Sequence, residues 1–282
     1  MKPTKEQIRE FYGQALKRCL DTFSQLDDRE WGKKVNGWTA KETLAHLVGT
    51  HLKETVPLTR QALAGEPQHV EGFDKRDQMM PFRAATMNEF RDKPTSELLQ
   101  MMKENFEEHL KVLDGLSESD LDKPAMSPTW DRQGTVRDLF FASYLFLPGQ
   151  YQDIRKVAKK KMPHWVEAST PDQVNYHMGR IFHYMPLIYR SDKGGDMKAT
   201  YVFTMEGEGG GQWSVKIGEG RADSEDGASD PFDLELKTKP ELWIDLSTGE
   251  LNAAWAIMTR KVQLGGNAGL AMKLGDLFSA AE

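Results

Sequence analysis

"LFFASYLFLPGQYQDIR", residues 139–155, repeats Leu139, Ser143, Phe146, Gln150 and Ile154 at steps of three and four. That spacing puts the five positions on one face of an α-helix, the face expected to be buried. A Pro-Gly pair, Pro148-Gly149, falls in the middle of it. Proline inside a helix removes a backbone hydrogen bond and clashes with the preceding turn, at a cost of ~3 kcal/mol. The stretch therefore predicts a long core helix bent or broken at residue 148, with an amide pointing inward just after the break.

Upstream, the same period recurs three times. Thr4 and Gln7 form a capping box ahead of a stripe at Ile8, Phe11, Ala15, Cys19 and Phe23. Thr39 and Glu42 repeat the box ahead of Leu44, Leu47, Val48 and His51. A third helix follows Pro94 and runs through Leu98, Met102, Phe106, Leu110 and Leu113. Four amphipathic helices with one longer connection, residues 65–94, describe an all-α four-helix bundle.

Near residue 162 the composition changes. KMPHWVEASTPDQ is poor in aliphatics and reads as a linker into a helix opening at Thr170-Pro171. The period then switches to two. ATYVFTM and WSVKI flank the turn EGEGGGQ and predict a hairpin over 199–218. Further strands are expected at 220–225, at FDLEL with Phe232, Leu234 and Leu236 inward, and at KVQL, with helices between and after them. Grouped strands with helices at both ends indicate α+β. The expected division is 1–161 and 168–282.

Composition limits the function. Hydrophobic residues make up 39% and charged residues 28% of 282, which suits a folded globular chain. No apolar run approaches the ~20 residues of a membrane helix, and MKPTKEQIREF lacks a secretory pattern. A single cysteine leaves nothing to pair within the chain, so a reducing cytoplasm is the expected compartment. A net charge of −6 argues against nucleic acid as a partner, and the basic run Lys156–Lys161 suits a helix C-terminus.

Motifs for nucleophilic or phosphate chemistry are weak. Cys19 belongs to an apolar stripe and reads as a small hydrophobe. EGEGGGQ lacks the Gly-Lys-Ser/Thr ending of a phosphate loop and joins two strands. His46 and His51 are five residues apart and His177 and His183 six, so neither pair shares a helix face. His69 and His164 stand in connecting segments without a motif.

Two resemblances sharpen this reading. "PELWIDLSTGELNAAWAIMTRKVQLGGNAGLAMKLGDLF" and "GGGQWSVKIGEGRADSEDG" resemble the sterol carrier protein type 2 family in element order, over residues 168–282, with Gly266-Asn267 where that family turns on Gly-Asp. The resemblance implies a mostly antiparallel five-stranded sheet covered by helices, holding an apolar ligand between them. "GWTAKETLAHLVGTH" and the opening stretch resemble the second and last helices of the DinB-like bundle family. Many members of that family hold a divalent metal through three histidines. Here the matching positions are His46, Phe146 and Gln150, so the resemblance implies a degenerate site without metal.

The expected function is binding of a hydrophobic small molecule or lipid in the C-terminal domain, with no cofactor. Phe182, Met185, Trp243, Trp255, Met258, Met272, Leu277 and Phe278 are the candidate ligand contacts, and a homodimer through the bundle is a further expectation. The competing expectation is a metal- and thiol-dependent transferase or isomerase, because the two-domain layout is similar to the mycothiol-dependent maleylpyruvate isomerases.

Overall fold

The computed structural model describes residues 2–158 and 162–279, so Lys159–Lys161 of the basic run lie outside the described residues. Helix α1, Lys5–Ser24, starts where Thr4 Oγ1 accepts the Gln7 N–H and the Gln7 side chain accepts the Thr4 N–H. Helix α2, Ala40–Thr50, opens with the same reciprocal pair between Thr39 and Glu42. A box of this kind satisfies two of the amide donors that a helix start leaves unbonded. Next come α3 (Val56–Ala64), α4 (Met79–Phe90), α5 (Thr95–Asp114) and α6 (Val136–Val157). Phe11, Cys19, Phe23, Leu44, Phe106 and Phe140 meet in one apolar core between them.

Several expectations are corrected here. The connection at 65–94 holds helix α4, which packs extensively against α2. Its buried positions, Met79, Phe82, Thr86, Met87 and Phe90, include a threonine, and Pro81 near the start obscures the period. Helix α6 continues through Pro148 without interruption. Proline supplies no N–H there, so the helix loses one bond to the carbonyl four residues back. Phe146 and Gln150 are only half-buried, whereas Ser143, Leu147 and Gln152 are fully buried. The inward amide of α6 is Gln152, whose Oε1 accepts the Trp165 N–H at 2.9 Å.

A π-helical turn, His51–Thr55, joins α2 to α3. On its inner side lies a polar network inside the helical core. Tyr12 Oη lies 3.3 Å from His51 Nε2 and 3.2 Å from His109 Nδ1, and it also bonds Ser143 Oγ. Thr59 donates its hydroxyl proton to the Thr55 carbonyl, so His109 Nε2–H donates to Thr59 Oγ1 at 3.1 Å. The His51 and His109 rings stack on Phe106 and Phe140. Burial drives both imidazoles toward the neutral form, with His109 pushed down to about 3. Burial also pushes the Cys19 thiol up, as expected for a cysteine used as a core hydrophobe.

The second core is built on a five-stranded mixed sheet in the order β3-β2-β1-β4-β5. Its strands are β1 (Ala199–Met205), β2 (Gly211–Gly218), β3 (Arg221–Asp226), β4 (Leu234–Thr238) and β5 (Gln263–Gly266). Every pairing is antiparallel except β1 with β4. Tyr201 faces Val215 and Leu234 in register, and Phe203 faces Trp213 and Leu236, which aligns an apolar row across three strands. Phe232, expected within the fourth strand, precedes it and is 40% exposed.

Helix α7, Pro171–Ile188, is capped by Thr170 and belongs to both cores. Val174, Met178, Phe182 and Met185 pack on the sheet, while Tyr176, Tyr184 and Leu187 pack on the helical core. Gly209 in the β1–β2 turn has φ +71° and lies against the first turn of α7. A Cβ there would come within 2.6 Å of Val174 Cβ, so the close approach requires glycine. The chain finishes with α8 (Pro240–Ser247), α9 (Ala253–Met258), strand β5, a 3₁₀ turn over Ala268–Lys273 and α10 (Leu274–Leu277). Among the described residues no helix is long and apolar enough to cross a membrane.

Candidate functional site

Two regions carry the residues that the sequence singles out. The first is a cavity of 380 Å³ beside the π turn, walled by α2, α4, α6 and α7 and by the end of α8. His46, Phe146 and Gln150, the three positions implicated by sequence, all line it. The His46 ring meets Phe146 edge-on at 6.2 Å and lies 4.8 Å from Trp38, and its Nδ1 is 3.1 Å from Thr50 Oγ1. Burial, reinforced by the Arg83 charge, pushes His46 down to about 3, so its imidazole is neutral near pH 7.

Sequence reasoning missed two ionisable residues at this cavity, Glu54 and Arg83. Glu54 is buried on the π turn, and its Oε2 has no hydrogen-bond partner among the described residues. Burial raises its carboxyl above the ordinary carboxylate range, and Arg83 opposes that rise. Arg83 stands over the Phe146 ring at 5.3 Å, and its Nε likewise has no hydrogen-bond partner among the described residues. Tyr184 reaches the same space from α7 and accepts the Trp130 indole N–H at 2.7 Å. Nothing in "HLKETVP" marks Glu54 in advance, because the extra residue of a π turn shifts the face that a regular helix would assign to it.

As a donor set, one imidazole, a benzyl ring and an amide do not fit a three-histidine metal site. Among the described residues no group of three or more His, Cys, Asp or Glu side chains is arranged to hold a metal ion. The other histidines are placed elsewhere. His164 donates through Nε2 to Asp245, 3.1 Å away, because its Nδ1 accepts the Val166 N–H. His177 is buried between Trp165 and Tyr144, and His183 bonds Ser224 and Asp226.

The second region is the sheet with its covering helices. Phe182 on α7 is fully buried, with its ring centroid 4.5 Å from Phe203 and 5.2 Å from both Trp213 and Trp243. Met185 and Leu277 are buried in the same core, and Phe278 packs half-buried against Tyr189 and Tyr201. Trp255, Met258 and Met272 lie differently from the inward orientation expected of them. Trp255 is 44% exposed, Met258 75% and Met272 81%. The reason is local: α9 spans six residues and buries only Ala256, and Met272 sits on a 3₁₀ turn that buries nothing. Around them Leu246, Leu251, Ile257, Leu270 and Leu274 are only partly covered.

That sheet and helix order has a known counterpart. Residues 191–279 match the SCP-2 sterol transfer family. The SCP-2 region thus takes in all five strands and the helices after them. No curated protein sequence matches the chain. Among solved structures, the mycothiol-dependent maleylpyruvate isomerase is similar over 86% of this chain and 88% of its own, at 12% identity and a TM-score of 0.55. A single-residue mutant of that enzyme gives a TM-score of 0.57 over the same shares. An uncharacterized protein from Clostridium difficile 630 matches 57% of this chain and 99% of its own, with 18% identity and a TM-score of 0.50. At such identities the likeness concerns fold, and it extends across both cores for the isomerase.

Proposed function

We propose that the protein binds a hydrophobic, lipid-like molecule in its SCP-2 region, between the sheet and helices α8–α10. The observation that carries this reading is the half-covered apolar lining there. Phe182, Phe203 and Trp213 fill the space beneath α7, while Leu246, Leu251, Ile257, Leu270 and Leu274 on the later elements keep part of their surface in contact with solvent. Pockets for small molecules are mainly apolar with few polar groups. Covering such a lining with an acyl chain contributes ~0.8 kcal/mol per methylene, so about sixteen carbons supply roughly 13 kcal/mol, enough for micromolar binding after an association cost of about 4–5 kcal/mol. Phe182, Met185, Trp243, Leu277 and Phe278 form the inner wall in this reading, with Trp255, Met258 and Met272 at the rim. The helical region, residues 1–161, is read as a DinB-like four-helix bundle whose metal positions have lost their ligands.

The test is a titration of the full chain with a fluorescent fatty acid, followed by tryptophan fluorescence. Saturable binding at micromolar concentration is expected, weakened at least tenfold by Leu274→Asp in a protein with an unchanged circular dichroism spectrum. Absence of saturable binding overturns the proposal.

A second reading, a metal- and thiol-dependent transferase or isomerase, draws on the cavity at His46 and on the isomerase-like fold. It requires a metal that the donors at His46, Phe146 and Gln150 do not suit. Elemental analysis decides it. About one zinc or nickel per chain, lost on His46→Ala, favours the enzyme; a metal-free protein after growth in zinc- and nickel-supplemented medium removes this reading.

A further inference from the structure

Between Glu250 and Asp276 the sequence runs for twenty-five residues without a single acid, in a chain that carries 43. The same stretch, 251–275, holds three cations, Arg260, Lys261 and Lys273. It also holds the three most exposed large apolar side chains of the second core, Trp255, Met258 and Met272. Two independent properties, local positive charge and uncovered apolar surface, therefore coincide on one segment of an otherwise acidic protein.

The fold explains why these side chains stay outside. Helix α9 is held by its Asn252 cap, whose Oδ1 accepts the Trp255 N–H at 2.9 Å, and by burial of Ala256 alone. Trp255 and Met258, three residues apart, share a face that the core does not use. The chain then passes directly through β5, an edge strand of the sheet, and into the 3₁₀ turn that bears Met272 and Lys273. Lys261 lies over the Trp255 indole at 4.4 Å, which holds its charge beside the exposed ring. Glu235, next to β5 on the neighbouring strand, engages Thr204 through its carboxylate.

We propose that α9 and the turns flanking β5 form a docking surface for an anionic phospholipid bilayer. Trp255 and Met258 enter the headgroup–acyl boundary, and Arg260, Lys261 and Lys273 face the lipid phosphates. Tryptophan favours that boundary because its indole is apolar over most of its surface and polar at one edge. Cations beside it add attraction that is confined to anionic lipid and falls off with salt. An acidic protein partner would satisfy the charges but leaves no reason for two bulky side chains on so short a helix. This surface does not depend on whether the SCP-2 region holds a ligand.

The experiment is flotation of the ligand-free full chain with two vesicle types, pure phosphatidylcholine and phosphatidylcholine with about one-third phosphatidylglycerol. Binding to the anionic vesicles alone is expected, at least tenfold weaker for Arg260→Glu/Lys261→Glu and for Trp255→Ser/Met258→Ser, and reduced by added salt. Both double variants alter exposed side chains, and their circular dichroism spectra should match wild type. Equal binding of the charge-reversal variant, or no flotation of wild type with anionic vesicles, overturns the proposal. So does a wild-type dimer in sedimentation velocity that Trp255→Ser/Met258→Ser dissolves, since the patch would then be a self-association face. Fatty-acid titration without vesicles, run on Arg260→Glu/Lys261→Glu, whose positions lie outside the proposed ligand lining, separates failure of docking from failure of ligand binding.

Discussion

Acid should unfold this protein well before its carboxylates titrate, and buried histidines set the magnitude. His46, His109 and His177 are buried, and burial pushes each from an ordinary 6.5 to about 3. An imidazole whose folded-state pKa is depressed is protonated first in the unfolded chain. Its contribution to stability is present above about pH 6.5 and is lost as pH falls toward the folded value. Between about pH 7 and pH 5 each of the three costs about 2 kcal/mol, because the unfolded ring titrates while the folded one stays neutral. Together they remove roughly 6 kcal/mol, comparable with the 5–15 kcal/mol typical of a whole domain. His51 acts in the same direction. Glu54 acts oppositely, since burial raises its carboxyl and acid relieves it. Glu42, Glu118 and Asp122 are held low by their hydrogen bonds, so their contributions fade only below the ordinary carboxylate range. Urea midpoints followed by circular dichroism at about pH 7, 6 and 5 should fall steeply, with at least about three protons taken up on unfolding near pH 5. His46→Gln should remove about one of those protons. Uptake of less than one proton would refute the argument, because the imidazoles would then be solvated or protonated in the native state.

Phe182→Ala should destabilise the sheet core by about 3–5 kcal/mol, a typical value for a buried ring, measured by urea unfolding with tryptophan fluorescence; a loss under 1 kcal/mol would mean that the ring is not packed as described. Glu54→Gln should raise the urea midpoint near neutral pH, and the gain should shrink as pH falls toward about 5, since it removes an acid whose ionised form is penalised by burial; destabilisation at neutral pH would show that the carboxylate is bonded. A fragment of residues 168–282 should keep a β-sheet circular dichroism signature yet melt below the full chain, because Tyr176, Tyr184 and Leu187 lose their cover; a random-coil spectrum would place the boundary elsewhere.

The parts of this fold that were legible in sequence are those fixed by local chemistry. Thr4–Gln7 and Thr39–Glu42 announce helix starts because capping is decided within four residues. The β1–β2 hairpin is legible because alternation and a glycine turn occur together. What escaped depends on contacts distant in sequence. Helix α4 carries Thr86 in its buried row and is defined by its packing on α2. The charges at the cavity escaped for a different reason: Glu54 is aimed by a π turn, which no simple period encodes. His46, Phe146 and Gln150 were found through family resemblance, and they do line one cavity. Trp255, Met258 and Met272 show the opposite failure, since a bulky apolar residue on a short helix carries no signal of which way it points.

Helix α7 has a mechanical consequence. Eighteen residues make a rod about 27 Å long, and both of its sides are engaged. Such a rod cannot roll about its axis to suit one neighbour without unseating the other. Tyr184 and Met185 are consecutive in the chain, yet the first lines the cavity beside Glu54 and the second packs on the sheet. A molecule that presses on Tyr184 and a molecule that spreads the sheet core therefore compete for the position of one rigid element, and each alters the room left for the other.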